Sequence, residues 1–221
     1  MNTLSNVTSK RGKQSPPCTR LTPCVSSVTS CDGVSVGYAP DPSKKWYVMR
    51  ATYHREKKAY DYLISKGVEA YMPLHRRIRM VDGKRRIVNE PLLPNFLFVY
   101  ATPEVIKIYS KNDPNLTFLN HYYDHFHLQE NGCNPPLTIS EEAMQNFIRV
   151  TSIDNKHVRV VAPENCHYKS GDMVRVIDGQ FKGVVGKVAR VAGQQRVVVE
   201  VEGVCLVSTA YVPTAFIESI K

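Results

Sequence analysis

Long apolar runs are missing from this sequence. No segment approaches the ~18 consecutive apolar residues that a membrane-spanning helix requires, and the opening MNTLSNVTSKRGKQSPP has no apolar centre of the kind found in secretory signals. We therefore expect a cytoplasmic protein with no membrane partner. The length of 221 residues and the apolar fraction of 43% suffice for one or two globular domains with a real core.

Closely spaced cysteine pairs are also missing. The six cysteines form no CxxC pair and no regular framework, which favours reduced thiols in a cytoplasmic protein. Two stretches leave a zinc site open as an alternative. Their candidate ligands are Cys18, Cys24 and Cys31 in a Ser/Thr/Pro-rich tail, and His121, Asp124, His125 and His127 in HYYDHFH. Neither stretch completes a ligand set, so we predict no metal and no cofactor.

The motifs of the common enzyme classes are absent from the sequence. We find no nucleophile elbow, P-loop, dinucleotide fingerprint or pair of catalytic carboxylates. We therefore predict that the protein is not an enzyme, with a zinc-dependent nucleic-acid enzyme as a weak alternative that metal analysis would test.

Acidic residues are scarce in one part of the chain. The whole sequence has 29 Lys and Arg against 20 Asp and Glu. Between Lys44 and Arg86 thirteen basic residues stand against four acidic ones, a local net charge of +9, so the rest of the chain is neutral overall. A localised basic field favours a polyanion such as nucleic acid, and a solvated charged surface is the alternative.

The pattern along the chain predicts an α+β domain after a leader. Residues 1–43 are rich in Ser, Thr, Pro and Gly and are predicted to be a disordered leader. Residues 44–150 then follow the order β-α-β-β-β-α, with an Asp82-Gly83 hairpin signal and a later short helix opened by Ser140. This order predicts an antiparallel sheet with helices packed on it.

The last part of the chain has a different texture. Residues 151–166 are predicted to be a linker, with one short strand in HVRVVA, and residues 167–221 a small all-β barrel. In the barrel, short Val-rich runs alternate with three glycine turns, at Gly171, at Asp178–Gly183 and at Gly186. The β-branched run Val197-Val198-Val199 favours strand over helix.

Two blocks of sequence resemble one known family. The glycine-turn pattern of residues 171–190 is similar to a KOW motif, found in ribosomal proteins and in the NusG/Spt5 transcription factors. Trp46-Tyr47-Val48, the helix after it, the basic hairpin and EPLLPNFLFV at 90–99 resemble the NusG N-terminal (NGN) domain in order and spacing. The EPLLPNFLFV block followed by PEVI looks like the operon-specialised, RfaH-like paralogues, and the long leader looks like the UpxY-type antiterminators of capsular polysaccharide operons. The resemblance covers residues 44–221 and implies an NGN-type antiparallel sheet followed by a KOW (SH3-like) barrel.

The resemblance implies a site for RNA polymerase on the strand Phe96–Tyr100. In this family the equivalent strand helps to form a hydrophobic depression that docks on the clamp helices of the polymerase β′ subunit. The positions that match are Phe96 and Phe98, with Pro94 and Tyr47 at the rim. Exposed aromatic anchors suit such a contact. The alternative is that both faces of this strand are buried inside the protein.

The resemblance also implies contacts with DNA or nascent RNA beside the polymerase, mainly through phosphates. The candidate residues are His54, Arg55, Lys57 and Lys58 on the first helix, and Arg76, Arg77, Arg79, Lys84, Arg85 and Arg86 on the hairpin. Like charges on adjacent strands repel, so an anionic partner would relieve a real cost. The DNA-reading Lys and His of RfaH-like proteins fall at Thr52 and Tyr62. The family's His-Thr-Thr contact to the opposite polymerase jaw falls at Lys107, Ile108 and Tyr109, so both features depart from the pattern.

In the barrel, Phe181 and Lys182 match a turn that in NusG binds ribosomal protein S10 or the terminator Rho. An exposed Phe would suit a partner, and a Phe that plugs the barrel is the alternative. The expected function is that of a monomeric transcription elongation and antitermination factor that suppresses pausing and termination, specialised to capsular polysaccharide operons. The alternatives are a general NusG factor and a KOW-containing, ribosome-associated RNA-binding protein.

Overall fold

Residues 41–129 and 132–220 are described by the structure, a computed structural model, and the predicted leader up to residue 40 lies outside them. The helices are α1 (Glu56–Ser65), α2 (Pro103–Lys107) and α3 (Glu141–Thr151). The strands are β1 (Lys45–Ala51), β2 (Glu69–Tyr71), β3 (Leu74–Val81), β4 (Lys84–Pro91), β5 (Phe96–Ala101), β6 (Leu119–His121), β7 (Thr138–Ile139), β8 (Arg159–Val161), β9 (His167–Val176), β10 (Val185–Val191), β11 (Gln194–Val201), β12 (Cys205–Tyr211) and β13 (Ile217–Ile220). None of the helices in this part of the chain has the length and apolar character that crossing a membrane requires.

The N-terminal sheet is antiparallel and has β1 near its centre. Its strand order is β2-β5-β1-β6, and β7 pairs with the first residues of β1 on the same side as β6. The helices around this sheet begin where the sequence predicts. The Ser140 hydroxyl accepts a hydrogen bond from the Ala143 amide at the start of α3 (3.3 Å), and Thr102 caps α2 in the same way. The predicted α+β class is therefore confirmed.

Both faces of the strand β5 are covered. Leu97 and Val99 face one core together with Ala59 and Leu63 of α1. Phe98 on the opposite face packs against Phe147 of α3, with ring centroids 5.1 Å apart. A strand that is buried on both sides reads as continuously apolar, which accounts for the run from Phe96 to Tyr100.

Residues 68–80, which the predicted order β-α-β-β-β-α treats as one strand, form two strands with different partners. The first is β2, which pairs with β5 in the N-terminal sheet. The second is β3, which pairs only with β4. Proline at 73 separates the two because it has no amide hydrogen to continue a ladder, although its carbonyl still accepts the Leu92 amide (2.8 Å).

Strands β3 and β4 form a two-stranded sheet of their own, here called the ribbon (residues 74–91). Asp82 and Gly83 join the strands with φ of 52° and 71°, and two positive φ values are the mark of a type I′ hairpin turn. The hairpin predicted from Asp82-Gly83 is confirmed. The ribbon lies outside both large sheets.

The C-terminal sheet has six antiparallel strands in the order β13-β9-β10-β11-β12-β8. The all-β class predicted for this part is confirmed, and so is the strand over Val197–Val199, which lies in β11. The short strand expected in HVRVVA is β8, and it pairs with β12 although the sequence placed it in the linker. Gly179 and Gly183 have positive φ as turn glycines, whereas Gly186 lies inside β10.

The helix α3 packs between the two large sheets. One apolar core contains Phe98 and Tyr71 from the N-terminal sheet, Phe147 from α3, and Val199 and Val207 from the C-terminal sheet. Polar contacts fix the helix on both sides. These are Tyr71 Oη to Thr151 Oγ1 (2.6 Å), Arg149 Nη1 donating to the Gly183 carbonyl (2.8 Å), and the Val185 amide donating to Asn146 Oδ1 (3.2 Å).

Candidate functional site

The residues predicted to bind the polymerase do not form one exposed surface. Phe98 is fully buried and Tyr47 is 6% exposed, so the expectation of an exposed Phe98 anchor is wrong for this conformation. Tyr47 faces the core on the α1 side of the sheet, whereas Phe98 faces α3. The physical reason is that apolar side chains of α3 pack against Phe98, whereas the prediction expected a partner protein to do so.

The accessible end of this stretch is the loop before β5. Pro94 is exposed, and Phe96 is half-buried with its ring edge-on to Tyr122 at 5.2 Å. Two hydrogen bonds hold this loop to the end of β1 and to the turn that follows it. The Asn95 carbonyl accepts one from the Ala51 amide (2.8 Å), and the Asn95 side chain accepts one from the His54 amide (3.0 Å). Pro94 and Phe96 are thus the predicted contact residues that a partner could reach here.

The ribbon brings the six predicted basic residues of the hairpin together. Arg79 lies directly opposite Arg86, and Arg77 and Lys84 share that face because side chains alternate along each strand, whereas Arg76 and Arg85 lie on the other face. All six side chains are exposed: Arg76, Arg77, Arg79, Lys84, Arg85 and Arg86. A directly opposed pair of like charges destabilises a sheet unless an anion lies nearby.

One acidic residue partly neutralises this basic face. Glu90 accepts two hydrogen bonds from the Arg79 guanidinium (2.6 and 3.2 Å) and lies 3.8 Å from Arg77. The hydrogen bond from Arg79, outweighing the partial desolvation of the group, lowers the pKa of Glu90 from its ordinary value. The carboxylate therefore stays ionised at neutral pH and competes with an external anion for both arginines.

Replacing Glu90 by Gln is expected to strengthen binding of nucleic acid to the ribbon. The change frees Arg77 and Arg79 and raises the net charge by one, so the slope of log K against log salt should steepen by about 1. Fluorescence anisotropy of labelled duplex DNA over a salt series measures both quantities. The matched control is Glu218→Gln, an equal charge change on β13 of the C-terminal sheet. Equal effects of the two variants would show that overall charge, and not the ribbon, controls binding.

The second predicted basic group lies where β1 leads into α1. His54, Lys57 and Lys58 are exposed there. Arg55 is committed to the protein, since its guanidinium lies 4.2 Å above the Phe118 ring. The Lys58 Nζ lies over the same ring, 5.8 Å from its centroid. The structure thus leaves two of these four side chains, His54 and Lys57, to approach a phosphate without leaving an aromatic contact. Of the positions that depart from the family pattern, Tyr62 donates its hydroxyl to Asp113 (2.8 Å).

The sequence interpretation missed exposed apolar residues in both basic groups. Tyr53, beside His54, is 84% exposed, and both residues have positive φ (59° and 53°). On the ribbon, Ile78, Met80 and Ile87 are 65–70% exposed. No sequence signal reveals a left-handed Tyr-His pair, but the alternation of Ile78 and Met80 with arginine could have shown one apolar face.

Phe181 is 5% exposed and lies in the core shared with α3, so the expectation of an exposed Phe181 is wrong and the alternative of a packed ring is the observed state. Lys182 next to it is exposed. A cavity of about 330 Å³ opens beside the ring and is lined also by His157, Gln194 and Tyr211. A partner at this turn would therefore first meet Lys182 and the cavity rim.

The histidines of HYYDHFH have separate partners. His127 Nδ1 pairs with Asp124 (2.9 Å), whose hydrogen bond raises the pKa of His127, and His121 Nε2 contacts Ser110 Oγ (3.0 Å). Within residues 41–129 and 132–220, no group of three or more His, Cys, Asp or Glu side chains is placed to hold a metal ion. The three tail cysteines considered as ligands lie outside the described residues.

Comparison with known proteins gives one family match. Residues 44–148, slightly less than half of the chain, match the model of the NusG family, described as transcription termination factor nusG. Among solved structures the chain is similar to NusG of Thermotoga maritima, from a structure titled for its domain interaction. That match has 18% identity and a TM-score of 0.40, and it covers 80% of this chain and 98% of the other. The stretch 44–148, which contains the N-terminal sheet and the ribbon, is thus the part of the chain that is similar to the NusG family.

Proposed function

We propose that this protein is a transcription elongation and antitermination factor that binds the clamp helices of the RNA polymerase β′ subunit and reduces pausing and termination. The observation that carries the proposal is the NusG-family match over residues 44–148. The same stretch holds the exposed basic ribbon, whose phosphate contacts would keep the factor beside the nucleic acid of the elongation complex. Catalysis stays with the polymerase.

The polymerase contact would lie at the edge that a partner can reach. Pro94 and Phe96 would touch the clamp helices, whereas Phe98 and Tyr47 would shape the surface from within. A double Phe96/Phe98 alanine variant is unsuitable as a test, because removing the fully buried Phe98 ring would cost about 3–5 kcal/mol of folding stability by itself. Phe96→Ala alone changes a half-buried ring and leaves the core intact.

The first experiment is capture of purified RNA polymerase, and of an isolated clamp-helix fragment, by wild type and by Phe96→Ala. Phe126→Ala is the matched control, since Phe126 is another accessible Phe, 74% exposed, in the loop after β6. Loss of a central aromatic anchor costs 2 kcal/mol or more, so Phe96→Ala should bind at least about 30-fold more weakly and Phe126→Ala as well as wild type. Circular dichroism checks that all three are folded.

Absence of polymerase binding by wild type would overturn the proposal, and co-sedimentation with ribosomal particles would then support the ribosome-associated alternative. Equal binding by wild type and Phe96→Ala would refute the placement of the contact. Elongation assays on a template with a terminator complete the test, because the factor should increase read-through.

We also propose that the factor serves particular operons of the capsular polysaccharide type and that the turn at Phe181–Lys182 recruits ribosomal protein S10 or Rho. The basis is the likeness of the EPLLPNFLFV block to operon-specialised NusG paralogues, that of the long leader to the UpxY-type antiterminators, and the match of the turn to the one in NusG. Deletion of the gene should change transcript levels of one or a few operons. A transcriptome-wide change would favour a general NusG factor.

A further inference from the structure

The ribbon has two chemically different faces. Ile78 lies directly opposite Ile87, and the alternation of side chains puts Met80, Arg76 and Arg85 on the same side. We call this side the apolar face. Arg77, Arg79, Lys84 and Arg86 lie on the other side, here called the charged face.

The three apolar side chains are not used in folding. Ile78 is 70% exposed, Met80 65% and Ile87 69%. The ribbon is a separate two-stranded sheet, and such a sheet is marginally stable in water unless one of its faces packs on something. Large apolar side chains that are exposed together mark a contact surface.

The charge around the apolar face limits what can cover it. Its flanking residues Arg76 and Arg85 are basic, and Arg76 pairs with Asp154 of the loop after α3 (2.7 Å). Both acidic residues of the ribbon, Asp82 in the turn and Glu90 on the charged face, lie elsewhere. Residues 74–91 carry six Lys and Arg against these two acids, so a second copy of the ribbon would be repelled. An anionic partner is favoured, and it must also offer apolar or stacked surface.

Duplex DNA meets both requirements. Its major groove, about 12 Å wide, admits a two-stranded β-ribbon and presents thymine methyl groups that apolar side chains contact. The major groove of A-form RNA is too narrow for such contact. Long basic side chains of the charged face can bend round the ribbon edges to the phosphates that wall the groove.

We propose that the ribbon enters the major groove of DNA with its apolar face toward the bases, so that Ile78 and Ile87 contact thymine methyl groups while the basic residues bind phosphates. The proposal rests on the proposed function, since it deepens the nucleic-acid contact of the same domain from phosphate binding to base contact. It adds a preference among DNA sequences that phosphate contacts alone do not provide.

The test measures binding of the full chain to short mixed-sequence duplexes made either with thymine or with deoxyuridine, which lacks the methyl group. Fluorescence anisotropy at about 50 mM salt suits the weak affinities of non-specific complexes. Wild type should bind the deoxyuridine duplexes at least about fivefold more weakly. The double variant Ile78→Thr/Ile87→Thr keeps β-branched residues in exposed strands, and it should bind both duplexes equally and as weakly as wild type binds the deoxyuridine form.

Two matched variants separate base contact from other effects. Ile108→Thr changes an exposed isoleucine away from the ribbon (51% exposed) and should behave as wild type. Arg86→Gln should bind both duplexes more weakly, lower the salt slope by about 1 and keep the thymine preference. The double threonine variant should keep the wild-type salt slope.

Equal binding of wild type to thymine and deoxyuridine duplexes would overturn the proposal. So would a double threonine variant that binds DNA as wild type does but loses the polymerase, because the apolar face would then cover a protein. The DNA measurement contains no polymerase. Failure of the proposed function would therefore appear in polymerase capture, and failure of base contact in the duplex comparison.

Discussion

Replacing Phe147 by Ala is expected to lower the free energy of unfolding by about 3–5 kcal/mol, the range for a large aromatic removed from a packed core. Phe147 is fully buried and packs against Phe98 (5.1 Å) and Tyr71 (6.2 Å) of the N-terminal sheet. Its core extends without a break to the valines of β11 and β12. The variant should therefore destabilise both large sheets together, although the substituted residue lies in α3 and every strand keeps its sequence.

Urea denaturation followed by two probes measures the effect. Trp46 is the single tryptophan and lies in the same core, so its fluorescence reports the N-terminal sheet, whereas far-ultraviolet circular dichroism reports all strands. Glu142→Ala is the control, since Glu142 is exposed on the same helix. A loss below about 1 kcal/mol for Phe147→Ala would contradict the placement of α3 between the sheets.

Gly186→Ala is expected to destabilise the C-terminal sheet by about 3 kcal/mol, at the upper end of what overpacking costs. A Cβ at this position would lie 2.4 Å from the Val198 carbonyl oxygen and 2.9 Å from Val197 Cγ1. The first of these atoms is backbone in the neighbouring strand, so relief requires a shift of β10 or β11 and not merely of a side chain. The sequence predicts a turn at Gly186, whereas close packing inside a strand is what requires glycine there.

The control is Gly193→Ala, at the turn between β10 and β11. A Cβ there meets nothing within 4 Å, but the residue has φ of 76°, so the variant should cost only the roughly 1 kcal/mol of a left-handed alanine. Thermal unfolding of the two variants compares a steric clash with backbone strain in the same hairpin. Equal melting temperatures would refute the close approach at Gly186.

Local chemistry predicted the elements well. The hairpin at Asp82-Gly83 and the helix starts at Thr102 and Ser140 follow from turn and capping chemistry contained in a few adjacent residues. The division of residues 68–80 into β2 and β3 at Pro73 was not predicted. Proline removes one amide donor from a strand, and this alone does not show that the chain leaves the sheet. Whether the chain then stays in the sheet or leaves it depends on partners elsewhere, such as the Leu92 amide that binds the Pro73 carbonyl.

Burial was harder to predict than secondary structure. The sequence shows that α3 is a helix, but not that it covers Phe98 and Phe181 at once, because that depends on contacts between segments about 35–50 residues apart in the chain. The position of the six basic residues on one hairpin could be predicted, since their spacing is local. Their separation into two faces, with Ile78 and Ile87 on one of them, follows from strand alternation, but the exposure of both faces depends on the ribbon lying outside the large sheets, which no local pattern shows.

The short connection after α3 affects how strongly a partner must bind to displace α3. Residues 152–158 span at most about 25 Å when fully extended, so a C-terminal sheet released from α3 cannot move far from it. Tethers of this length hold two surfaces at effective concentrations in the millimolar range. A partner that needs the buried Phe181 face competes with α3 for it. At micromolar concentration this partner must bind the face about a thousandfold more tightly than α3 does. The alternative is that a third molecule binds α3 and keeps it away from the face.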